Sequence, residues 1–299
     1  MVETVYQVLG IPVKLCLLAD FHNRPNPNII SSLRKNRPDL ILIAGDVFYS
    51  TYPLVNQVYV PPFLEGCAKI APTYLSLGNH EQAITTEEIK SIEGTGVKVL
   101  DNSWVEKDGL VIGGLSSGYV TAYRAWRTAH PGAEKPGHGE ITSHNPDTSW
   151  LDEFAAVPGY HILLSHHPSY FSSVPKNIEL TLAGHLHGSQ WRYYSIFKHE
   201  WRSVFNPDEG FFPRYSKGKY ENGRLIISAG LTNTAPVPRF FNPTEVVYIE
   251  KPDQPKNHPR NWRYQPSKKV NLLGLHRGLE HLARDLSHRL ALLLFPGTE

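Results

Sequence analysis

The sequence predicts an α/β fold, in which strands and helices alternate and form layers. Short apolar runs recur along the chain, and several are apolar at consecutive positions, which is typical of strands buried on both faces. Stretches with helix-start signals lie between the early runs, and this alternation indicates α/β layering. With 299 residues, 40% of them apolar, the chain can build one large core or two modest ones.

Eight apolar runs are predicted to form strands. In chain order they are VKLCLLAD (13–20), DLILIAGD (39–46), PTYLSLGNH (72–80), LVIGGL (110–115), YHILLSHHP (160–168), IELTLAGHLH (178–187), RLIISAG (224–230) and EVVYIE (245–250).

Two helices are predicted between the early strands. NPNIISSLRKNR opens with Asn26 and Pro27, a cap and first-turn pair. TTEEIKSIEGTG opens with a threonine and an acidic first turn and ends at Gly94.

Composition excludes several classes of protein. The net charge of +2 does not favour nucleic acid as the main partner. Cys16 lies in an apolar run and there is no CxxC, so we do not expect a disulfide framework. No window reaches eighteen apolar residues, and no signal peptide is visible. We therefore expect a cytoplasmic location.

Five of the predicted strands are followed by metal-binding or proton-transferring side chains. The first three strands are followed by Asp20/His22, by Gly45-Asp46 and by Gly78-Asn79-His80. Two later strands are followed by His166-His167-Pro168 and by Gly184-His185-Leu186-His187. The carboxyl ends of strands in α/β sheets converge on the ligand crevice. Turn chemistry explains one such end, but five together indicate a shared site.

This ordered set of motifs, D-x-H, G-D, G-N-H-E, H-H-P and G-H-x-H, resembles the calcineurin-like metallophosphoesterases. The resemblance spans about residues 13–250 and implies a four-layer αββα sandwich, with two mixed sheets flanked by helices. It implies that one metal is bound by Asp20, His22 and His187 and the other by Asn79, His166 and His185, that Asp46 bridges both, and that His80 is the proton donor or transition-state stabiliser. Glu81 and His167 are expected to orient these ligands.

The segments LAGHLHGSQ, KYENGRLIISAGL and PVPRFFNPTEVVYIE resemble a branch of small bacterial phosphoesterases related to YkuE and YaeI. That branch includes enzymes that cleave the pyrophosphate of UDP-diacylglucosamine. The resemblance therefore leaves two substrate classes open: a phosphomonoester or phosphodiester, and a lipid-linked UDP-2,3-diacylglucosamine-type pyrophosphate. A non-catalytic scaffold is a third alternative, although all seven ligand positions are filled.

Two divalent ions about 3.5–4 Å apart acidify water and neutralise the charge of a phosphoryl group. The mixed oxygen and nitrogen ligands suit Mn, Fe, Co, Ni or Zn, with Mn favoured, and disfavour calcium. Gly184 and Gly188 are expected to lower the cost of the bend that aims His185 and His187 at different ions.

The sequence also departs from its relatives. GDVFYS lacks the second acidic residue that many relatives carry, and the arginines typical of protein Ser/Thr phosphatases are missing. SSGYVTAYRAWR stands where many relatives have paired aspartates. These departures argue against a protein phosphatase and leave the substrate open.

Two long segments, 116–150 and 191–220, are predicted as irregular loops near the strand ends. Both are rich in aromatic side chains and arginines, which suits a nucleotide or a lipid-linked phosphate. A satellite hydrophobic cluster under a loop explains them equally well. Arg239 in PVPRFFNP is a further candidate for the site.

The catalytic domain is predicted to span 1–250, followed by a Pro- and Lys-rich linker at 251–269 and an amphipathic helix at 270–299. A leucine stripe opposite a basic face is compatible with docking on the domain, with a homodimer, or with peripheral contact to the inner face of a membrane.

Overall fold

Two six-stranded sheets organise the fold. The computed structural model describes residues 1–49, 53–133, 136, 141, 145–206, 208–234 and 237–252. The strands within them are β1 (Val2–Gln7), β2 (Leu15–Leu18), β3 (Leu40–Ala44), β4 (Thr73–Ser76), β5 (Val97–Leu100), β6 (Ser103–Lys107), β7 (Leu110–Leu115), β8 (Tyr160–Ser165), β9 (Leu180–Ala183), β10 (Arg192–Ser195), β11 (Glu200–Ser203), β12 (Phe205–Asn206), β13 (Gly210–Phe211), β14 (Gly218–Tyr220), β15 (Leu225–Ile227) and β16 (Glu245–Glu250). The α-helices are α1 (Pro27–Asn36), α2 (Val60–Ala68), α3 (Thr86–Glu93), α4 (Gly118–Ala129) and α5 (Leu151–Ala156).

Both sheets mix parallel and antiparallel pairs. The first has the order β1-β16-β2-β3-β4-β5, in which β2 to β5 are parallel and β16 runs antiparallel to β2. The second has the order β14-β15-β9-β8-β7-β6, with parallel pairs from β15 to β7 and antiparallel edges. The carboxyl ends of β2, β3 and β4 therefore lie along one edge of the first sheet, and those of β7, β8, β9 and β15 along one edge of the second.

The sheets pack face to face, which explains why their strands are apolar at consecutive positions. Leu40 and Leu42 of β3 belong to the buried cluster shared with β8, β9 and β15 of the second sheet. Ile41 and Ile43, on the other face of the same strand, pack with the helices α1, α2 and α3. A second outer cluster packs α5 on the second sheet. The predicted α/β fold of two mixed sheets flanked by helices is confirmed, as are all eight predicted strands.

The two predicted helices are also confirmed, together with their start signals. The Asn26 side chain accepts a hydrogen bond from the Asn28 N–H at the start of α1. Thr85 and Glu88 form a reciprocal capping box at the start of α3, and that helix ends at Glu93, one residue before Gly94. Cys16 and Cys67 are both buried and do not form a disulfide bond with each other.

The prediction of irregular structure over 116–150 and 191–220 is wrong in large part. Helix α4 occupies Gly118–Ala129, where Ser117 caps the first turn and Tyr119, Tyr123 and Trp126 recur at spacings of four and three. Segment 191–220 folds into the hairpins β10–β11 and β12–β13 and the edge strand β14.

The predicted linker at 251–269 lies outside the described residues except for 251 and 252, and the predicted helix at 270–299 lies entirely outside them. In the described part of the chain, no helix has the length and apolar character needed to span a bilayer.

Candidate metal centre

The predicted ligands come together where the two sheets meet. Asp20 follows β2 and Asp46 follows β3, and the loops remain paired beyond the strands: the Asp20 N–H donates to the Gly45 carbonyl at 3.2 Å. His22 N–H donates to the Asp46 carbonyl at 3.1 Å. In the second sheet, the residues after β8 and β9 are joined by the Gly184 N–H, which donates to the His166 carbonyl at 3.1 Å.

Two buried carboxylates occupy the middle of the centre. Asp46 Oδ2 lies 3.1 Å from His166 Nε2 and 3.8 Å from His22 Nε2. Asp20 Oδ1 lies 3.6 Å from His187 Nε2, 3.9 Å from His22 Nε2 and 4.0 Å from His166 Nε2. Both side chains are at most 2% exposed. Three histidines, one from the first sheet and two from the second, thus surround the two carboxylates.

His22 and His187 face each other across one side of the centre. Their Nε2 atoms are 3.3 Å apart, and their rings are stacked with centroids 5.2 Å apart. His22 Nδ1 lies 3.0 Å from the Phe48 carbonyl, and His187 Nδ1 lies 3.3 Å from the Thr232 carbonyl. The Nδ1–H of His22 donates to its carbonyl, so the His22 Nε2 carries a lone pair that faces the other ring. A cation between the two Nε2 atoms would stabilise this arrangement.

His166 and His185 lie on the other side. His166 Nδ1 is 2.6 Å from the Ala44 carbonyl, so its Nε2 is the atom that faces the carboxylates. His185 is held differently, because its Nε2 lies 3.2–3.3 Å from the carboxylate of Asp208. The two rings are 5.1 Å apart.

Asn79 and His80 approach from the loop after β4. His80 N–H donates to Asp46 Oδ1 at 2.9 Å, and His80 Nε2 is 3.8 Å from Asp46 Oδ2. The His80 side chain is 32% exposed, so it lies at the open side of the centre. Asn79 Oδ1 is buried and has no hydrogen-bond partner among the described residues.

The electrostatics of the centre call for positive charge. Burial lowers the pKa of His22 to about 4, although Asp46 and Asp20 oppose the shift, and burial likewise lowers the pKa of His187. Both imidazoles are therefore neutral at pH 7, which is the form that binds metal. Burial also acts to lower the pKa of His166, but Asp46 and Asp20 outweigh it and raise this pKa to about 10. A proton on His166 thus supplies the charge that the carboxylates require.

The residues present fit divalent cations. Asp20 Oδ2 and Asn79 Oδ1 are buried without hydrogen-bond partners among the described residues. An unpaired buried acceptor is costly unless an ion coordinates it. The donor atoms of Asp20, His22 and His187 lie within 4.8 Å of one another, and so do those of Asp46, His166 and His185. The two groups together offer oxygen and imidazole donors to two ions.

The backbone at these residues is strained. Asp20, His22, Asp46, His185 and His187 all have φ between 48° and 70°, in the left-handed region. Non-glycine residues enter this region rarely, and clusters of such residues mark functional sites. The bend expected of glycines in G-H-x-H is thus partly adopted by the histidines themselves.

The neighbouring glycines are required mainly for space. A Cβ on Gly184 would lie 2.6 Å from Ala19 Cβ and 2.9 Å from Asp20 Oδ2. Gly188 alone of the two expected turn glycines has a positive φ, of 62°. A Cβ on Gly78 would lie 2.2 Å from Asp46 Oδ1. Glycine therefore lets the loops of the two sheets approach the carboxylates closely.

The buried side chain of Glu81 connects the loop after β3 with the loop after β4. Its carboxylate accepts hydrogen bonds from the backbone N–H groups of Asp46 at 2.9 Å, Phe48 at 2.9 Å and Gly78 at 2.7 Å. Burial and the Asp46 carboxylate raise the pKa of Glu81 to about 7 against these hydrogen bonds. His167 Nε2 lies 2.9 Å from Ser117 Oγ, and its ring is 4.0 Å from that of His185.

Two contacts of the centre were not predicted from the sequence, and a third involves Arg239, which the sequence analysis named as a candidate. Asp208 comes from the loop between β12 and β13 and reaches His185. The Thr232 carbonyl, after β15, holds His187. Arg239 Nη2 lies 3.1 Å from His187 Nδ1 and also donates to Thr232 O. Burial lowers the pKa of Arg239 to about 10, so it stays charged at pH 7.

Comparisons with known proteins agree with this geometry. The chain is 25% identical over 260 residues to an uncharacterized metallophosphoesterase of Aquifex aeolicus, covering 83% of this chain and 88% of that protein. It is 24% identical over 261 residues to a putative metallophosphoesterase of Caenorhabditis elegans, covering 79% of this chain but only 48% of that longer protein.

Solved structures show a more distant likeness. A dimetal phosphatase from Danio rerio aligns over 73% of this chain and 87% of its own, with 13% identity and a TM-score of 0.39. A nuclease from Pseudomonas putida aligns over 75% of this chain and 78% of its own, with 14% identity and a TM-score of 0.32.

The family comparison covers most of the centre. The model of the family "Calcineurin-like phosphoesterase" matches residues 13–189. This range is more than half of the chain and includes every predicted ligand. The chain therefore belongs to the calcineurin-like phosphoesterase family and is a metal-dependent phosphoester hydrolase.

Proposed function

We propose that the centre holds two divalent ions and hydrolyses a phosphomonoester or a phosphodiester. The observation that carries the proposal is the pair of donor groups, Asp20/His22/His187 and Asp46/His166/His185, which are compact within 4.8 Å and meet at the two carboxylates. Asp46 is proposed as the bridge because its oxygens approach residues of both groups. Asn79 completes the second group with its unpaired Oδ1.

When bound, the ions supply the Lewis acidity that activates water and neutralises charge on the phosphoryl oxygens. Asp20 and Asp46 neutralise only half of the charge of two divalent ions, so the centre retains positive charge for a phosphate. His80 lies at the open side, where its Nε2 can donate a proton to the leaving oxygen.

The donor set supports a borderline transition metal. Four imidazoles and three oxygen donors suit Mn, Fe, Co, Ni or Zn and not calcium, which prefers oxygen ligands throughout. We propose Mn as the first metal to test.

A panel of chromogenic substrates tests the activity. Full-length protein, analysed for bound metals and supplied with Mn²⁺, is assayed with p-nitrophenyl phosphate and bis-p-nitrophenyl phosphate. We expect turnover of at least one of them, and loss of both metal and turnover in Asp46→Asn. Asp152→Asn, which changes an exposed carboxylate in α5, controls for the loss of charge. Metal-free protein, or equal activity in Asp46→Asn and the control, would contradict the proposal.

A lipid-linked pyrophosphate of the UDP-2,3-diacylglucosamine type is the second candidate, in keeping with the resemblance to the YkuE and YaeI branch. The hairpins β10–β11 and β12–β13 expose several large aromatic side chains: Trp201 at 46%, Phe211 at 55%, Phe212 at 58% and Phe197 at 75%. Their loop reaches the centre through Asp208. An apolar surface beside a phosphate site suits acyl chains.

The two candidate substrates are distinguished by the ratio of turnover rates with and without acyl chains. Release of UMP from a UDP-linked diacyl sugar, compared with the same headgroup without acyl chains, should favour the acylated substrate if the hairpins bind lipid. Phe212→Ser, at an exposed position of this surface, should reduce that preference and leave bis-p-nitrophenyl phosphate turnover unchanged. Equal rates for both headgroups would leave the simple phosphoester as the proposed substrate.

Peripheral membrane contact and a homodimer are proposals that depend on residues 270–299, which lie outside the described part. Co-sedimentation with anionic liposomes and analytical ultracentrifugation, each on the full chain and on a variant ending near residue 265, separate them. Equal pelleting of the two proteins would remove the membrane proposal.

A further inference from the structure

We propose that Asp208 is a positioning residue for the metal centre, which holds His185 so that Nδ1, and not Nε2, is its metal-binding atom. The inference rests on the proposed function, because it concerns how one ligand of the second ion is oriented. The inference gives the hairpin β12–β13, which lies outside the family motifs, a role in orienting a metal ligand.

The four imidazoles of the centre are oriented in two ways. The Nδ1 atoms of His22, His166 and His187 lie 3.0, 2.6 and 3.3 Å from backbone carbonyls. Their Nε2 atoms face the carboxylates at 3.1–4.0 Å. His185 differs, because the carboxylate that lies 3.2–3.3 Å from its Nε2 is that of Asp208 in the hairpin loop, and not one of the two central carboxylates.

The contact fixes the tautomer of His185. An ionised carboxylate only accepts hydrogen bonds, so the proton must be on Nε2, which lies 3.3 Å from Asp208 Oδ1 and 3.2 Å from Oδ2. The lone pair is then on Nδ1. A carboxylate behind a ligating histidine orients the ring and raises its basicity, and removal of such a partner typically weakens metal binding 10- to 100-fold.

The His185 ring has little freedom to turn over. The rings of His167 and His166 lie 4.0 and 5.1 Å away. The backbone N–H of His185 donates to Asp20 Oδ1 at 3.2 Å, which anchors the residue to the first sheet. Asp208 therefore acts on a ring whose plane is already confined.

The loop that carries Asp208 is braced on both sides. Asn206 is fully buried, and its side chain donates to the Tyr215 carbonyl at 3.1 Å and accepts from the Glu209 N–H at 2.7 Å. The Glu209 carboxylate in turn accepts from the backbone N–H of Arg214 at 2.6 Å. A carboxylate on a loop held in this way keeps its place relative to the core.

Direct coordination is the competing role for Asp208. The donor atoms of His167, His185 and Asp208 lie within 4.8 Å of one another. His167 Nε2, however, is 2.9 Å from Ser117 Oγ, and both Asp208 oxygens lie close to His185 Nε2. The contacts of the described residues thus favour action through His185, and a double-mutant comparison distinguishes the two roles.

Metal retention tests the inference independently of turnover. Full-length protein loaded with Mn²⁺ is dialysed against graded concentrations of a chelator, and bound Mn²⁺ is counted by elemental analysis. We expect Asp208→Ala to release one of two ions at about 10- to 100-fold lower chelator strength than the wild type. Asp208→Asn, which keeps an accepting oxygen, should lie between them. Asp152→Ala, at an exposed position of α5, should behave as the wild type.

The variant His185→Ala and the double variant with Asp208→Ala complete the test. If Asp208 acts through His185, the double variant releases Mn²⁺ as His185→Ala does. Additive effects, or Asp208 variants that retain Mn²⁺ as the wild type does, would overturn the inference. Wild-type protein that retains no Mn²⁺ would overturn the proposed function as well. Thermal melts of the metal-free variants show whether each one is folded, and Asp208→Asn serves if Asp208→Ala is not.

Discussion

The two nitrogen atoms of an imidazole have separate tasks in this protein, and the partner of one decides what the other can do. At His22, His166 and His187 a main-chain carbonyl lies near Nδ1, and Nε2 faces the carboxylates. Burial keeps His22 and His187 neutral, with the pKa of His22 lowered to about 4. His22 and His187 are thus ready to bind a cation near neutral pH without losing a proton.

His80 differs from these ligands because it is partly open to solvent. We expect His80→Ala to retain both ions and to lower turnover about 10²- to 10⁴-fold, the range of general acid catalysis. Steady-state kinetics and elemental analysis of the same preparation measure both effects, with the exposed His130→Ala as control. Loss of bound metal in His80→Ala would show that His80 is a ligand.

Glu81 contributes to stability through its backbone hydrogen bonds. In Glu81→Gln an amide N–H₂ would face one or more of the N–H groups of Asp46, Phe48 and Gly78. We expect the free energy of unfolding to fall by about 1–3 kcal/mol, the cost of an unsatisfied buried donor. Denaturant titration measures it, and the exposed Glu87→Gln in α3 should change much less. Equal effects of the two substitutions would show that the Glu81 contacts contribute little.

Among the elements, the turns after the strands determine the site more than the strands do. These turns carry the left-handed residues and the glycines that let the loops approach. Gly78 and Asp46 belong to turns after adjacent strands, and a Cβ on Gly78 would overlap Asp46 Oδ1 and lie 2.6 Å from its N.

Gly78→Ala should therefore displace the Asp46 turn, reduce Mn²⁺ retention and lower stability by about 1–3 kcal/mol or more, as overpacking does. Gly109→Ala is the matched control, since φ there is 80° and a Cβ would meet no atom within 4 Å. It should lower stability only by about 1–2 kcal/mol for the left-handed backbone and keep the metal. Elemental analysis and thermal melts distinguish the two, and normal metal content in Gly78→Ala would contradict the argument.

The elements that sequence reasoning found are those buried on both faces. β3 and β8 are continuous apolar runs because a sheet covers one side and helices the other. β1 was missed because it is an edge strand with alternating exposure, and α2 because Pro61 and Pro62 stand in its first turn. α4 was missed although its aromatic spacing and Ser117 cap are visible in the sequence.

The same distinction applies to the site. Side chains directly after buried strands were found, because strand ends in α/β sheets converge. Asp208 was not found, since it depends on a hairpin whose strands have only two residues each. Pairing of that length leaves no period in the sequence. Its contact with His185 is formed by tertiary packing alone.

At the scale of the whole molecule, the metal centre connects the two sheets. Asp20 and Asp46 come from the first sheet, and His166, His185 and His187 from the second, and the carboxylates are buried between them. Without cations, two buried carboxylates repel each other across this junction.

We therefore expect chelation to lower the melting temperature reversibly. Ions present at about 100 times their dissociation constant stabilise by about 2.7 kcal/mol, which corresponds to about 5–10 °C for a chain of this size. Calorimetry of chelated protein before and after addition of Mn²⁺ measures the shift. Ca²⁺ should restore much less, and an unchanged melting temperature would contradict the proposed coupling of metal to the fold.

The unequal holding of the four imidazoles has a consequence for how such a protein diverges. No side-chain substitution removes the carbonyls of Ala44 and Phe48, so the rings of His166 and His22 keep these partners whatever changes elsewhere. The ring of His185 depends on a replaceable residue in a surface hairpin. Selection on that hairpin can thus adjust the grip on one ion and leave its neighbour untouched.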